Sequence, residues 1–319
     1  MNFKIVGVGE VLWDLLLTGP KLGGAPANFA YHSHALGAHA YVITRVGDDD
    51  RGREIIRRFR KMGIRSGAIQ VDEKTPTGTA TVKLSGDGLA HFTIQKNAAW
   101  DYMEATHEAI GLAASADAIC FGSLAQRGET SRRAVEQLIS AASRTSLRVF
   151  DINLRQNFYS REVIERSLQL ANVMKLNDDE LPTVAEMFAL SGSTENQLQS
   201  LASQFDLQVV ALTRGPNGSL LYRRVTDGVT NHEMTNDEVI DDEGSWSDYA
   251  SKPVKVVDTI GAGDSFTAAM VLGLLQKKNL DEINSIANQV AYYVCSQAGA
   301  TPALPPEFAQ KFSLDHSVM

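Results

Sequence analysis

A chain of 319 residues with 38 acidic against 30 basic side chains, a net charge of −8 and a pI near 5.4, points away from nucleic acid or an anionic membrane surface as a partner and towards small molecules. Its hydrophobic content of 44 % can fill a substantial core, in a single α/β domain spanning residues 1–319. Cys120 and Cys295 both lie in apolar stretches without Cys or His at metal-ligand spacing, so they read as reduced core residues.

In chain order, Phe3 to Val8 reads as a first strand. The apolar stretch from Ile5 to Leu17 carries Glu10 and Asp14, follows no basic leader and is too short to span a bilayer, so a cytoplasmic protein is expected. A helix over Ala27 to Leu36, a strand over Ala40 to Arg45 and a helix over Arg51 to Met62 follow. Gly78 to Leu84 and His91 to Gln95 are β-rich around Gly86-Asp87-Gly88, which predicts a hairpin over 77–96, either a flap on the main sheet or a plain edge hairpin.

Strands over Ala118 to Phe121, Arg148 to Phe150, Val173 to Leu176 and Val209 to Thr213 then alternate with helices over Ser131 to Ala142, Arg161 to Leu170 and Thr194 to Phe205. This βα alternation predicts a mostly parallel, doubly wound sheet flanked by helices. Between Arg224 and Lys252 the chain holds eight acidic residues and no Lys or Arg, which reads as a solvated loop or hairpin extension. The spacing of Asp241, Asp242 and Glu243 does not match an EF-hand loop.

Ligands of open parallel sheets bind beyond the carboxyl ends of the strands, so polar residues just after the apolar runs are site candidates. Glu10 and Asp14 follow the first strand, Asn153 and Arg155 the run ending at Asp151, Asn177 and Glu180 the run ending at Leu176, and Thr213, Arg214 and Gly215 the run ending at Leu212. Each of these singly also suits a turn or cap. Gly23-Gly24-Ala25-Pro26-Ala27-Asn28 opens the first helix: glycines let a ligand approach the backbone, Pro26 suits a first turn, and Asn28 offers an amide to hydroxyl groups.

The strongest signal is Asp258-Thr259-Ile260-Gly261-Ala262-Gly263-Asp264 before the apolar run Ser265 to Leu275. A Gly-Ala-Gly turn leaves the amides that open the next helix uncovered, and with the helix dipole they can hold a developing phosphate charge. A carboxylate at Asp264 would repel phosphate but could accept a proton from an attacking hydroxyl. An ordinary glycine turn with a capping Asp has the same local pattern. No Walker A motif occurs, and Gly7-x-Gly9 lacks the third glycine of a dinucleotide fingerprint.

Taken together, Gly9 to Asp14, Gly23 to Asn28, Val46-Gly47-Asp48-Asp49, Asp151 to Arg155, Lys175 to Glu180, Thr213 to Gly215 and Val257 to Asp264 resemble the ribokinase-like (PfkB) carbohydrate kinases, and among them the fructokinase-like branch. The resemblance covers nearly the whole chain. It implies ATP-dependent phosphorylation of a sugar hydroxyl beneath a β-lid, with fructose to fructose 6-phosphate as the leading reaction and 2-keto-3-deoxygluconate, ribose or a riboside as alternatives. A catalytically silent sugar- or nucleotide-binding regulator is the alternative of another class.

By this resemblance Asp264 is the base, with the amides of Gly261, Ala262 and Gly263 as anion hole. Asp14, Gly24 and Asn28 hold sugar hydroxyls. Asn177 and Glu180 match an Asn-x-x-Glu element that organises Mg2+ through water, Thr213, Gly215 and Gly218 approach the nucleotide, and Asn288 borders the adenine pocket. Asp258 and the Gly299 region resemble a monovalent-cation loop, which leaves K+ activation open.

Two departures stand out. Only eight residues separate Asp14 from Gly23, where many relatives insert lid strands, so the lid is expected to be reduced to the 77–96 hairpin and a lid-mediated homodimer is an open question. Lys96 stands where fructokinases often carry an Arg towards the sugar; it can supply a point charge but not a bidentate fork, or else be a solvated lid lysine.

Overall fold

In β1 (Lys4–Val8), Ile5 faces one hydrophobic layer while Val6 and Val8 face another, so both sides of this strand need covering. A computed structural model, describing residues 3–16, 19–84, 90–224, 244–251 and 255–313, shows how this is met. The chain leaves β1 as β2 (Leu12–Leu16) and β3 (Gly19–Gly23), forms α1 (Ala25–Ala35), β4 (His39–Gly47), α2 (Asp50–Lys61) and β5 (Ile69–Asp72), and then projects β6 (Gly78–Leu84) and β7 (Ala90–Ile94).

Next come α3 (His107–Ala114), β8 (Ala118–Phe121), α4 (Glu129–Ala141), β9 (Leu147–Asp151), α5 (Arg161–Leu170), β10 (Val173–Asn177), α6 (Leu181–Phe188), α7 (Thr194–Gln204) and β11 (Val209–Thr213). The chain closes with β12 (Ser219–Arg223), β13 (Ser245–Tyr249), α8 (Ala262–Leu275), α9 (Leu280–Cys295) and α10 (Pro306–Gln310).

Nine strands form one sheet in the order β13-β12-β11-β10-β9-β8-β1-β4-β5, parallel except where β12 and β13 join antiparallel at the edge. The expected doubly wound sheet is thus present. One face packs on Val135, Leu138, Ile164, Leu168, Leu198 and their neighbours from α4, α5 and α7. The other packs on Phe29 of α1, Phe266 to Leu272 of α8 and Ile283 to Val290 of α9. The strand order reverses between β8 and β1, where crossovers diverge and leave a crevice.

The second sheet differs from expectation. The β6–β7 hairpin is there, with its turn outside the described residues, but β2 and β3 join it in the order β3-β2-β6-β7. The short segment between Asp14 and Gly23 is therefore half of a four-stranded sheet. Its strand character was hidden because β3 reads Gly-Pro-Lys-Leu-Gly, a composition that an edge strand tolerates and a central strand does not. Asp49 caps α2 by accepting from the Gly52 amide at 2.8 Å and also receives the Thr77 amide and hydroxyl, which ties the root of the hairpin to the main sheet.

Cys120 is buried and Cys295 only partly so, and both thiols are free. α2 concentrates Arg51, Arg53, Arg57, Arg58, Arg60 and Lys61 in an otherwise acidic chain. Local carboxylates absorb much of that charge, since Arg57 and Arg58 share Glu54 and Arg53 meets Asp48 and Asp50. Residues 225–243, most of the acidic insertion, lie outside the described residues, and β13 forms its return.

Candidate active site

Two helix starts meet at the carboxyl ends of the strands. Gly24 opens α1 with a φ of 114°, and a Cβ there would stand 2.4 Å from the Glu10 carbonyl oxygen, so only glycine fits. Gly261 opens α8 with a φ of 81°, and its Cβ would stand 2.4 Å from the Ala300 carbonyl oxygen. One bond joins the two starts: Asn28 Nδ2 donates to Asp264 Oδ2 at 2.8 Å.

The Ala262 amide closes onto the Thr259 carbonyl at 3.3 Å, because left-handed Gly261 folds the chain back on itself. Gly261 and Gly263 flank that amide at the start of α8.

Ionisable groups from four segments converge here. Burial pushes Asp264 up to about 6, helped by the charge of Asp151 and opposed by Asn28, Lys175 and Arg155. Burial likewise raises Asp14 on β2 to about 6 and Glu10 to about 7, and Arg155 opposes both shifts. Arg155 is exposed and is the shared counter-charge. It is carried by a segment in which Asn153, at φ 43°, and Gln156, at φ 51°, are both left-handed, a cost that Asn tolerates better than most residues. Lys96 is exposed on the same rim, its ammonium 5.8 Å above the Phe158 ring.

On the far side of Asp264, Asn177 and Glu180 form a clip. The Glu180 carboxylate accepts the Leu154 and Asn177 amides, each at 2.8 Å, while Asn177 Oδ1 accepts the Glu180 amide at 2.9 Å. Burial raises the Glu180 carboxyl and Lys175 pulls it back down. Thr213 is half-buried at the end of β11 and Gly215 is exposed beyond it.

Gly218 and Asn288, both expected at the nucleotide, stand where β12, β13 and α9 meet. A Cβ on Gly218 would stand 1.9 Å from the Tyr249 carbonyl oxygen, so its bareness serves the junction of β12 with β13. Asn288 is 3 % exposed and donates to Ser219 Oγ and to Asn284, so it braces α9 against β12 from behind the rim. Asp258 staples its loop by accepting the Ile260 and Gly299 amides, each at 3.0 Å.

The sequence profile of the pfkB family carbohydrate kinases matches residues 19–307. The chain belongs to the pfkB family of carbohydrate kinases. An uncharacterized sugar kinase of Pyrococcus horikoshii is 30 % identical over 324 residues, covering 93 % of this chain and 91 % of its own. Its crystal structure superposes with a TM-score of 0.78 at 27 % identity, over 97 % of this chain and 99 % of its own. The fructokinase of Escherichia coli is 27 % identical over 325 residues, 96 % of this chain and 97 % of its own. A ribokinase II of Escherichia coli, solved with ATP and Mg2+, shares the fold with a TM-score of 0.79 at 20 % identity, over 98 % and 99 % of the two chains.

In this pfkB kinase, two buried groups beside the site escaped the sequence reading. Lys175 reaches Asp151 Oδ1 at 3.1 Å beneath the glycine turn. Burial alone would push its ammonium down, but Asp151, Glu180 and Asp264 together hold it above its ordinary value. Arg127 forks onto Asp101 with both partners under 10 % exposed, also meets the Gln95 carbonyl, and stacks 4.0 Å from the Trp100 ring and 4.6 Å from Phe158. That network anchors the end of β7 to the segment after β8. The rule of looking just past each strand would have found Arg127 had it been applied to Ala118–Phe121.

Among the described residues of the kinase no group of three or more His, Cys, Asp or Glu side chains is arranged to hold a metal. A single carboxylate such as Glu180 fits a magnesium ion that arrives on phosphate oxygens and keeps its waters. No helix among the described residues is long and apolar enough to cross a membrane.

Proposed function

We propose that this sugar kinase transfers the γ-phosphate of Mg-ATP to fructose, giving fructose 6-phosphate, with Asp264 as general base. The observation that carries this reading is the 2.8 Å bond from Asn28 to Asp264, which sets the helix start suited to sugar hydroxyls against the helix start suited to phosphate. Fructose is favoured because relatives along nearly the full chain in bacteria and plants are named fructokinases.

Asp14, Gly24 and Asn28 hold hydroxyls of the sugar, with Asn153, Arg155 and Lys96 closing the pocket from two sides. Phosphoryl transfer through a loose transition state asks the protein mainly for alignment and charge neutralisation. The Gly261 and Gly263 amides and the α8 dipole meet the moving charge. Asp264, ionised above about pH 6, takes the hydroxyl proton as the oxygen attacks. Asn177 and Glu180 would hold a magnesium ion through its waters, which would neutralise phosphate charge, and Thr213 and Gly215 would flank the phosphates. The four-stranded small sheet acts as the lid.

ADP release measured over fructose, 2-keto-3-deoxygluconate, ribose and a riboside tests the substrate, with the highest kcat/KM expected for fructose; a higher value for another sugar overturns it. Absence of turnover with every sugar despite ATP binding would leave a silent binder. Phosphorus NMR of the product separates position 6 from position 1. A cytoplasmic location, a lid-mediated homodimer and K+ activation at the Asp258–Gly299 loop belong to the same reading. Fractionation, sedimentation and a K+ titration decide them respectively.

A further inference from the structure

Lysine is among the residues least often fully buried, yet β10, a central strand, carries Lys175 at 6 % exposure. Val173, two residues earlier on the same face, packs in the layer shared with α8, so Lys175 extends towards the start of that helix. Lys175 and Asp151 are register partners on adjacent parallel strands, and Nζ lies 3.1 Å from Asp151 Oδ1. The Thr267 hydroxyl stands 3.0 Å from both Asp151 Oδ2 and the Gly263 carbonyl. A Cβ built on Gly263 would come within 3.1 Å of Nζ, so the ammonium sits directly under the glycine turn.

Stability alone is a weak reason to keep such a pair. Replacing a buried ion pair with apolar side chains is often neutral or stabilising. The arrangement also has a direction: Asp151 is engaged from behind by Thr267 and Lys175, while the ammonium is the pole that meets the turn. A fixed positive charge aimed where negative charge develops, in a place shielded from water, is the kind of preorganised field that lowers a transfer barrier.

We propose that Lys175 is a positioning residue for phosphoryl transfer, its buried ammonium backing the Gly261–Asp264 turn so that the Gly261 and Gly263 amides and the charged pole act on the phosphoryl group together. The proposal deepens the site assignment above and rests on transfer taking place at that turn. It also gives Gly263 a part, since a Cβ there would come to 3.1 Å from Nζ and crowd the ammonium against the turn.

The test compares steady-state kinetics and thermal melts of Lys175→Gln and of Lys175→Met/Asp151→Asn with the unmodified enzyme. A glutamine amide can still donate to Asp151, and the double variant leaves an uncharged pair, so both remove the charge without leaving an orphaned carboxylate. Expected are folded proteins whose kcat falls about 10- to 100-fold, with KM for sugar and ATP within about threefold. Recovery of kcat to within about threefold in either variant would show that Lys175 is only a strut. Failure of both to fold would show the same. Asp264→Asn run alongside separates the two levels: if that variant is inactive while Lys175→Gln is active, the inference about Lys175 falls and the site assignment stands.

Discussion

Replacing Asp264 with Asn is a sharp perturbation, because it removes the base while keeping the contact that places it. The substituted amide can still offer an oxygen to Asn28 Nδ2, which now donates to Asp264 Oδ2 at 2.8 Å. Loss of a general base costs at least about 100-fold in turnover, or about 2.7 kcal/mol of barrier. Stability should move the other way. Burial raises the Asp264 carboxyl from 3.8 to about 6, so the fold favours the protonated acid: its contribution is fully present below the unfolded value, near pH 3.8, and is lost as pH rises through about 6.

The ionised carboxylate therefore costs at most about 3 kcal/mol at pH 8, reduced by the partial exposure of the carboxyl to the cleft. The variant should melt a few degrees higher at about pH 8, by about 2 °C per kcal/mol, and melt with the parent below about pH 4. ADP release and melting curves at the two pH values measure both effects. Unchanged turnover would remove Asp264 from the role. Lost turnover with a lower melting temperature at pH 8 would mean that the site had collapsed rather than lost a base.

Ionisation of the same carboxyl predicts that kcat/KM of the unmodified kinase rises as pH climbs through about 6, by up to tenfold per unit on the acid limb; a flat profile from pH 5 to 8 would refute this. Glu10→Gln should stabilise above pH 7 and have little effect at pH 4, since burial raises Glu10 from 4.5 to about 7 and the fold loses its preference for the acid across that window; equal effects at both pH values in melting curves would contradict this. Gly261→Ala forces a side chain into a φ of 81° and against the Ala300 carbonyl, so both stability, by about 2 kcal/mol or more, and turnover should drop in denaturant titration and assay. Arg127→Met orphans the buried Asp101 and should cost about 3–5 kcal/mol, of which Arg127→Met/Asp101→Asn recovers a measurable part in urea titration.

Legibility followed the range of the interactions. The strands Ala118–Phe121 and Val209–Thr213 and the helix Arg161–Leu170 were readable to the residue, because each is an apolar period bounded by its own stop signals. The same holds for the glycine turn, since Gly261 and Gly263 precede Asp264 on one short stretch of chain. β2 and β3 were not readable as strands, because what makes them strands is pairing with one another and with β6, and Pro20 and the flanking glycines speak against it locally.

Asn288 shows what packing adds to a position, since its amide donates inside the fold to Ser219 and Asn284, partners that no local pattern announces. Arg127 and Lys175 are charges inside apolar surroundings whose partners lie 26 and 24 residues away, so no local pattern pairs them. By itself, then, the sequence determined the layered sheet and the two glycine-led helix starts, since periodicity and backbone freedom are local properties. Only the tertiary structure decided that Asn28 meets Asp264 across 236 residues and that a buried ammonium lies beneath the glycine turn, because each depends on which strands and helices the fold brings side by side.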